Sequence, residues 1–199
     1  MLTLGVTGGS GCGKTTLLAV WASLGCVAID ADSLYHKLLI QDAELLAQIQ
    51  TVFPHAFTNG VLDRKQLGQT VFADKAALAR LEAVTHPAVV SAIRRQIDRA
   101  QTGGADAVAI DAIRLLESPL TVVCDAVIAI TAPMKDRLAR IMARDGVDET
   151  YARARIAAQP DNDFYRKNAH ILLENRGDPT QFAQQCANLY DQLLYNQKK

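Results

Sequence analysis

A chain of 199 residues with 49% apolar and 21% charged residues has ordinary globular composition and is long enough to bury a core, which excludes disordered and collagen-like classes. Its 21 Lys and Arg balance 21 Asp and Glu, so no global charge draws it to nucleic acid or an anionic membrane, and any anion site must be local. No apolar run approaches the ~18 residues of a membrane span, no secretory signal opens the sequence, and Cys12, Cys26, Cys124 and Cys186 form no C-x-x-C pair. A cytoplasmic chain with reduced thiols and no obligate protein partner is expected.

Leu2 to Thr7 reads as a buried first strand, and Lys14 to Leu24 as a helix with Leu17, Leu18, Trp21 and Leu24 on one face, ended by Gly25 at C′. Between them, Gly8 to Thr15 matches the P-loop pattern G-x-x-x-x-G-K-[ST] in the strand-to-helix setting the motif requires. Glycines there let successive amides converge on phosphate oxygens, at a helix N-terminus whose dipole favours anions. Gly9, Ser10, Gly11, Cys12, Gly13, Lys14, Thr15 and Thr16 are therefore assigned to ATP, with Lys14 reaching the β- and γ-phosphates and the Thr15 hydroxyl holding Mg²⁺.

Cys26 to Asp30 predicts a second parallel strand, which sets Asp30-Ala31-Asp32 at the ligand edge of the sheet. From Ser33 to about Gly104 only helical segments are expected: one with Leu34 and Leu38, one capped by Asp42, one started by Asp63, one capped by Asp74 and one opened by Pro87. Thr58-Asn59-Gly60 is read as a turn between two of these helices, and Thr102-Gly103-Gly104 closes the block.

Ala107 to Asp111 and Ala126 to Thr131 predict strands covered on both faces, with a brief helix capped by Ser118 and Pro119 between them. A helix from Pro133 to about Arg144 stops at Gly146, and another, capped by Asp148, ends before Pro160. Ile171 to Glu174 is a last strand, and Asp178-Pro179 starts a helix with Phe182, Cys186, Leu189 and Leu193 on one stripe. Gln197-Lys198-Lys199 is read as a frayed tail. The alternation implies an α/β, three-layer P-loop NTPase fold with a mostly parallel five-stranded sheet, a helical insertion and a helical lid. The expected layout is a core of 1–32, 105–132 and 168–199, a substrate-binding insertion of 33–104 and a lid of 133–167.

Several side chains have two readings. Asp32 is either the base that deprotonates an acceptor hydroxyl or an N-cap of the next helix. Arg137, Arg140 and Arg144 share a helix face and either stabilise a transferring phosphoryl group or form a solvated basic face. Asp111 is either a Walker B acid for Mg²⁺ or a strand-end turn residue, and Cys12 is either an activated thiol beside Lys14 or a stand-in for Ser. His36, His86 and Glu117 are polar residues in or near crevice loops. A GTP-driven switch would need N-K-x-D and D-x-x-G segments, and neither occurs. Another small-molecule or nucleotide kinase on the same fold remains the alternative.

The P-loop, followed by Asp30-Ala31-Asp32, Leu62-Asp63-Arg64, Val71-Phe72-Ala73-Asp74, His86-Pro87, Leu115-Leu116-Glu117, Arg140, Arg144 and Ala157-Ala158-Gln159, resembles the dephospho-coenzyme A kinase family along nearly the whole chain. The resemblance implies ATP-dependent phosphorylation of the ribose 3′-hydroxyl of dephospho-CoA, with Mg²⁺. It also implies Asp32 as base, Arg140 as a lid contact to phosphate and Asn175 near the adenine; beside these, Arg144 is assigned to ATP, and Asp32, His36, His86 and Glu117 to the acceptor. Three positions depart from the family's pattern. His36 stands where the family usually has Arg, Ile113-Arg114 replaces a Pro-containing approach to Leu115, and Cys12 replaces a P-loop serine.

Overall fold

In a computed structural model that describes residues 1–197, strands β1 (Leu2–Thr7), β2 (Val27–Asp30), β5 (Ala107–Asp111), β6 (Ala126–Thr131) and β7 (Ile171–Glu174) form one parallel sheet ordered β2-β5-β1-β6-β7. β1 is central, with Leu4 in register with Ala109 on one side and Ala126 on the other. The loop that leaves its carboxyl end therefore opens at the switch point of the sheet, where ligands of such folds bind. β2 is an edge strand with only Ile29 buried, while β5 and β6 are covered on both faces as their unbroken apolar runs predict.

The chain divides into two compact units, residues 1–30 with 97–199 and residues 31–96. In the first, helices α1 (Lys14–Ser23) and α9 (Pro179–Gln197) cover one face of the sheet. Trp21, Tyr190, Cys186, Phe182, Leu17 and Val6 form the buried cluster there, and the Trp21 indole N–H donates to the Cys186 carbonyl at 2.8 Å. Truncating a fully buried Trp of this kind costs about 3–5 kcal/mol. Leu24, expected on the α1 face, is 44% exposed because the helix ends at Ser23 and Gly25, at φ 92, turns the chain away.

Helices α6 (Met134–Asp145) and α7 (Glu149–Ala157) close a separate small core of Leu138, Ile141, Ala152 and Ile156. Pro133 precedes α6, Gly146 ends it at φ 66, and the Asp148 carboxylate caps α7 at the Tyr151 amide. A further helix, α8 (Asn162–Asn168), was not expected from the sequence, although Asp161 caps it at the Phe164 amide in the ordinary way.

The 31–96 unit contains α2 (Ala31–Gln41), α3 (Ala43–Val52), α4 (Arg64–Ala73) and most of α5 (Lys75–Thr102). Asp42 and Asp63 cap α3 and α4 as predicted. Two expectations fail here. The block is not purely helical: the turn at Thr58-Asn59-Gly60, found between α3 and α4 as expected, closes a small hairpin of β3 (Phe57–Thr58) with β4 (Val61–Leu62), and Asn59 at φ 51 and Gly60 at φ 78 supply the type I′ turn that hairpins favour. Pro87 lies inside α5 instead of opening a new helix. The buried stripe of Ala77, Leu81, Thr85, Val89, Ala92, Ile93 and Ala100 runs straight through it, so tertiary packing offsets the hydrogen bond that proline removes. Asp32 sits inside the first turn of α2 rather than ahead of it.

Among the described residues no helix is long and apolar enough to cross a membrane. Gln197 is the last residue of α9, while Lys198 and Lys199, expected in a frayed tail, lie outside the described residues.

Candidate active site

β1 delivers the chain to Gly8 at the carboxyl edge of the sheet, and α1 begins at Lys14. Gly8 adopts φ 139, and a Cβ there would lie 2.4 Å from the Ile130 carbonyl oxygen, so the backbone approaches β6 more closely than any side chain permits. At Gly11, with φ 76, a Cβ would come within 2.7 Å of the Arg137 carbonyl oxygen on α6.

Three consecutive carbonyls of this loop are held from outside. Arg137 Nε donates to the Ser10 carbonyl at 2.9 Å, Arg140 Nη1 to the Gly11 carbonyl at 3.0 Å, and Asn175 Nδ2 to the Cys12 carbonyl at 2.9 Å. In a planar trans peptide the carbonyl and the following N–H point in opposite directions, so tying back each carbonyl turns the next amide the other way. Gln159 completes the frame. Its Oε1 accepts from the Ser10 amide at 2.8 Å and from Arg137 Nη2 at 3.1 Å, and its Nε2 donates to Ser10 Oγ at 2.9 Å.

The loop borders a pocket of about 570 Å³ lined by Gly9, Ser10, Gly11, Gly13, Lys14, Thr15, Thr16, Asp111, Ile113, Arg140, Ala143, Arg144 and Arg155. Lys14 Nζ donates to the Gly8 carbonyl at 3.2 Å and stands 3.9 Å from Asp111 Oδ1. Arg144 grips Asp145 with two hydrogen bonds, Nε to Oδ1 at 2.7 Å and Nη2 to Oδ2 at 2.9 Å, and Arg155 Nη1 reaches the same carboxylate at 2.7 Å. Those contacts, the Arg144 hydrogen bond first, hold the Asp145 carboxyl below its ordinary range. One wall of the pocket is thus strongly cationic, the surface a polyphosphate requires.

The structure separates residues that the sequence grouped. Arg137 is 5% exposed and braces the loop from behind, whereas Arg140 and Arg144 line the pocket, so the three guanidiniums do not act as one face. Arg155 joins the pocket unforeseen, because ten residues and a turn separate it from Asp145. Cys12 is 1% exposed within the core cluster, and burial raises its thiol above the usual range despite the opposing charges of Arg137 and Lys14. Of the two readings of Cys12, burial thus favours the stand-in for Ser: desolvation outweighs the nearby cations, and Cys12 packs as a small apolar residue. Asn175 is buried at the end of β7, bonded to Cys12 and to Arg140 Nη2 through its Oδ1 at 3.1 Å, and does not line the pocket.

Glu117 is outside the pocket and pairs with Arg114, Nε to Oε2 at 3.2 Å. Asp32, His36 and His86 belong to the 31–96 unit: Asp32 and His36 are exposed on α2, with the His36 ring 6.2 Å from that of Tyr35, and His86 is half-buried on α5.

A phosphate nest between a central parallel strand and a helix, faced by one lysine and three arginines, defines a P-loop kinase. A family model described as dephospho-CoA kinase matches residues 2–181. A dephospho-CoA kinase from Anaeromyxobacter dehalogenans is 38% identical over 92% of this chain and 88% of its own length. Among solved structures, TT1252 from Thermus thermophilus superposes with a TM-score of 0.79 at 30% identity, covering 96% of this chain and 97% of that one. A dephospho-CoA kinase from Campylobacter jejuni superposes with a TM-score of 0.70 at 28% identity over 98% of both chains. The chain belongs to the dephospho-CoA kinase family. Its activity is the ATP-dependent phosphorylation of dephospho-CoA, the final step of coenzyme A biosynthesis.

Proposed function

We propose that the pocket beside the P-loop holds the ATP phosphates, and that Lys14, Arg140, Arg144 and the loop amides carry the negative charge of the transferring γ-phosphoryl group. The observation that carries this reading is the convergence of Lys14, Arg140, Arg144 and Arg155 on one pocket lined by Gly9 to Gly11 and Gly13 to Thr16. Cys12 contributes only backbone, and Asn175 supports ATP binding by fixing the loop and Arg140.

The residues fit Mg²⁺. Thr15 offers a hydroxyl and Asp111 a carboxylate on the same pocket, and among the described residues no cluster of three His, Cys, Asp or Glu forms a cage, as suits an ion that keeps its waters and leans on phosphates. When bound, the ion would neutralise charge between the β- and γ-phosphates.

Asp32 is assigned as the group that takes the proton of the ribose 3′-hydroxyl as that oxygen attacks the γ-phosphorus and ADP leaves. It follows Asp30 by two residues, and Asp30 pairs in register with Asp111. His36, His86 and Glu117 are assigned to the acceptor, His36 at the position where the family usually has Arg. The free thiols of Cys12, Cys26, Cys124 and Cys186 fit a reducing cytoplasm.

A coupled ADP-release assay with MgATP tests the reading. Dephospho-CoA should be phosphorylated, its 3′-deoxy analogue should bind without turnover, and nucleoside monophosphates, shikimate and gluconate should stay inert. Comparable turnover of any of those three acceptor types would assign the site to another kinase.

A further inference from the structure

Arg137 is a buried cation whose hydrogen-bond partners are both neutral, the Ser10 carbonyl and Gln159 Oε1. Among the described residues no carboxylate forms an ion pair with it, whereas Arg144 and Arg155 share Asp145. A guanidinium removed from water without a counter-charge is costly, and breaking or leaving such a charge uncompensated is among the larger penalties in a folded chain. The cost is met where a counter-charge arrives from outside. Arg137 lies directly behind the phosphate nest: a Cβ on Gly9 would come 2.3 Å from its Nη2, and its own carbonyl lies against Gly11.

We propose that Arg137, clasped by Gln159, is a positioning residue for the polyphosphate. It ties the Ser10 carbonyl outward so that the following amide turns into the nest, and its uncompensated charge is balanced by the bound phosphates rather than by the protein. Gln159 anchors the Ser10 peptide from its other side, so the end of α7 and the start of α6 jointly set the shape of the loop. The arrangement favours ligands in proportion to the phosphate charge that they place over the nest, and it rests on the assignment of the pocket to ATP.

Calorimetric titration of the full chain with ATP, ADP, AMP and dephospho-CoA tests this, using Arg137→Lys, Arg137→Met and Gln159→Leu. Tight ADP binding by the wild type in the same series verifies the pocket assignment separately. Arg137→Met should weaken ATP and ADP by about tenfold or more, as loss of a charged hydrogen bond implies, while AMP and dephospho-CoA change by less than about twofold. Arg137→Lys should recover part of the loss by restoring charge without the two-point fork. If Arg137→Met does not fold, Gln159→Leu carries the test, with the same ligand order and a smaller loss. Equal weakening of ADP and AMP, or no weakening of either in a folded variant, overturns the proposal.

Discussion

The Asn175 side-chain amide donates to the Cys12 carbonyl at 2.9 Å, tying the end of the last strand to the middle of the phosphate loop. Its other end accepts from Arg140, which in turn donates to the Gly11 carbonyl. Asn175→Ala would leave a buried carbonyl without its donor and release Arg140, so stability should fall by about 1–3 kcal/mol and KM for ATP should rise. Chemical denaturation and steady-state kinetics check both. Unchanged stability together with unchanged KM would mean that the brace carries no energy.

Lys14→Ala removes a pocket cation and touches no core position. We expect kcat to fall by ~10² or more with the thermal midpoint within a few degrees of wild type. A variant with normal ATP affinity and rate would remove the P-loop from the mechanism.

The buried Cys12 thiol has its pKa raised, so at neutral pH it stays protonated and unreactive. A thiol-specific reagent should label Cys12 slowly, to the same extent with and without MgATP, and Cys12→Ser should retain activity. Rapid labelling that MgATP prevents would show an exposed thiolate instead.

Asp145 has its carboxyl lowered by Arg144 and then Arg155. A depressed folded-state value contributes stability above the unfolded value of about 4, and that contribution is lost as pH falls through the folded value. The difference in thermal midpoint between wild type and Asp145→Asn should therefore be present at pH 6 to 7 and shrink as pH falls below about 4. A difference that grows in acid would contradict the assignment.

The alternation of apolar runs and helix caps made the sheet legible, because β5 and β6 are buried apolar runs bounded by turn residues, β7 is a short half-buried one, and the loop after β1 carries a motif with one mechanism. Local signals gave way where packing decides. Pro87 reads as a helix start, yet the stripe from Ala77 to Ala100 keeps one helix through it. Asn59-Gly60 carries its hairpin signal, but strands of two residues each are too short for periodicity to reveal. In the site, the spacing of Arg137, Arg140 and Arg144 announces a shared helix face, but not that the first turns inward to Ser10. Arg155 and Gln159 meet their partners across folded distances that sequence spacing does not encode.

The most direct test of the account is kcat for Asp32→Asn with dephospho-CoA and saturating MgATP. Asn keeps the size and one acceptor atom of the side chain but cannot take the proton, so kcat should drop by ~10² or more while KM for ATP changes little, since Lys14 and the loop still hold the nucleotide. Near-normal kcat would contradict the account, leaving Asp32 a residue of the first turn of α2 and moving the search for the base to Asp30 and Asp111.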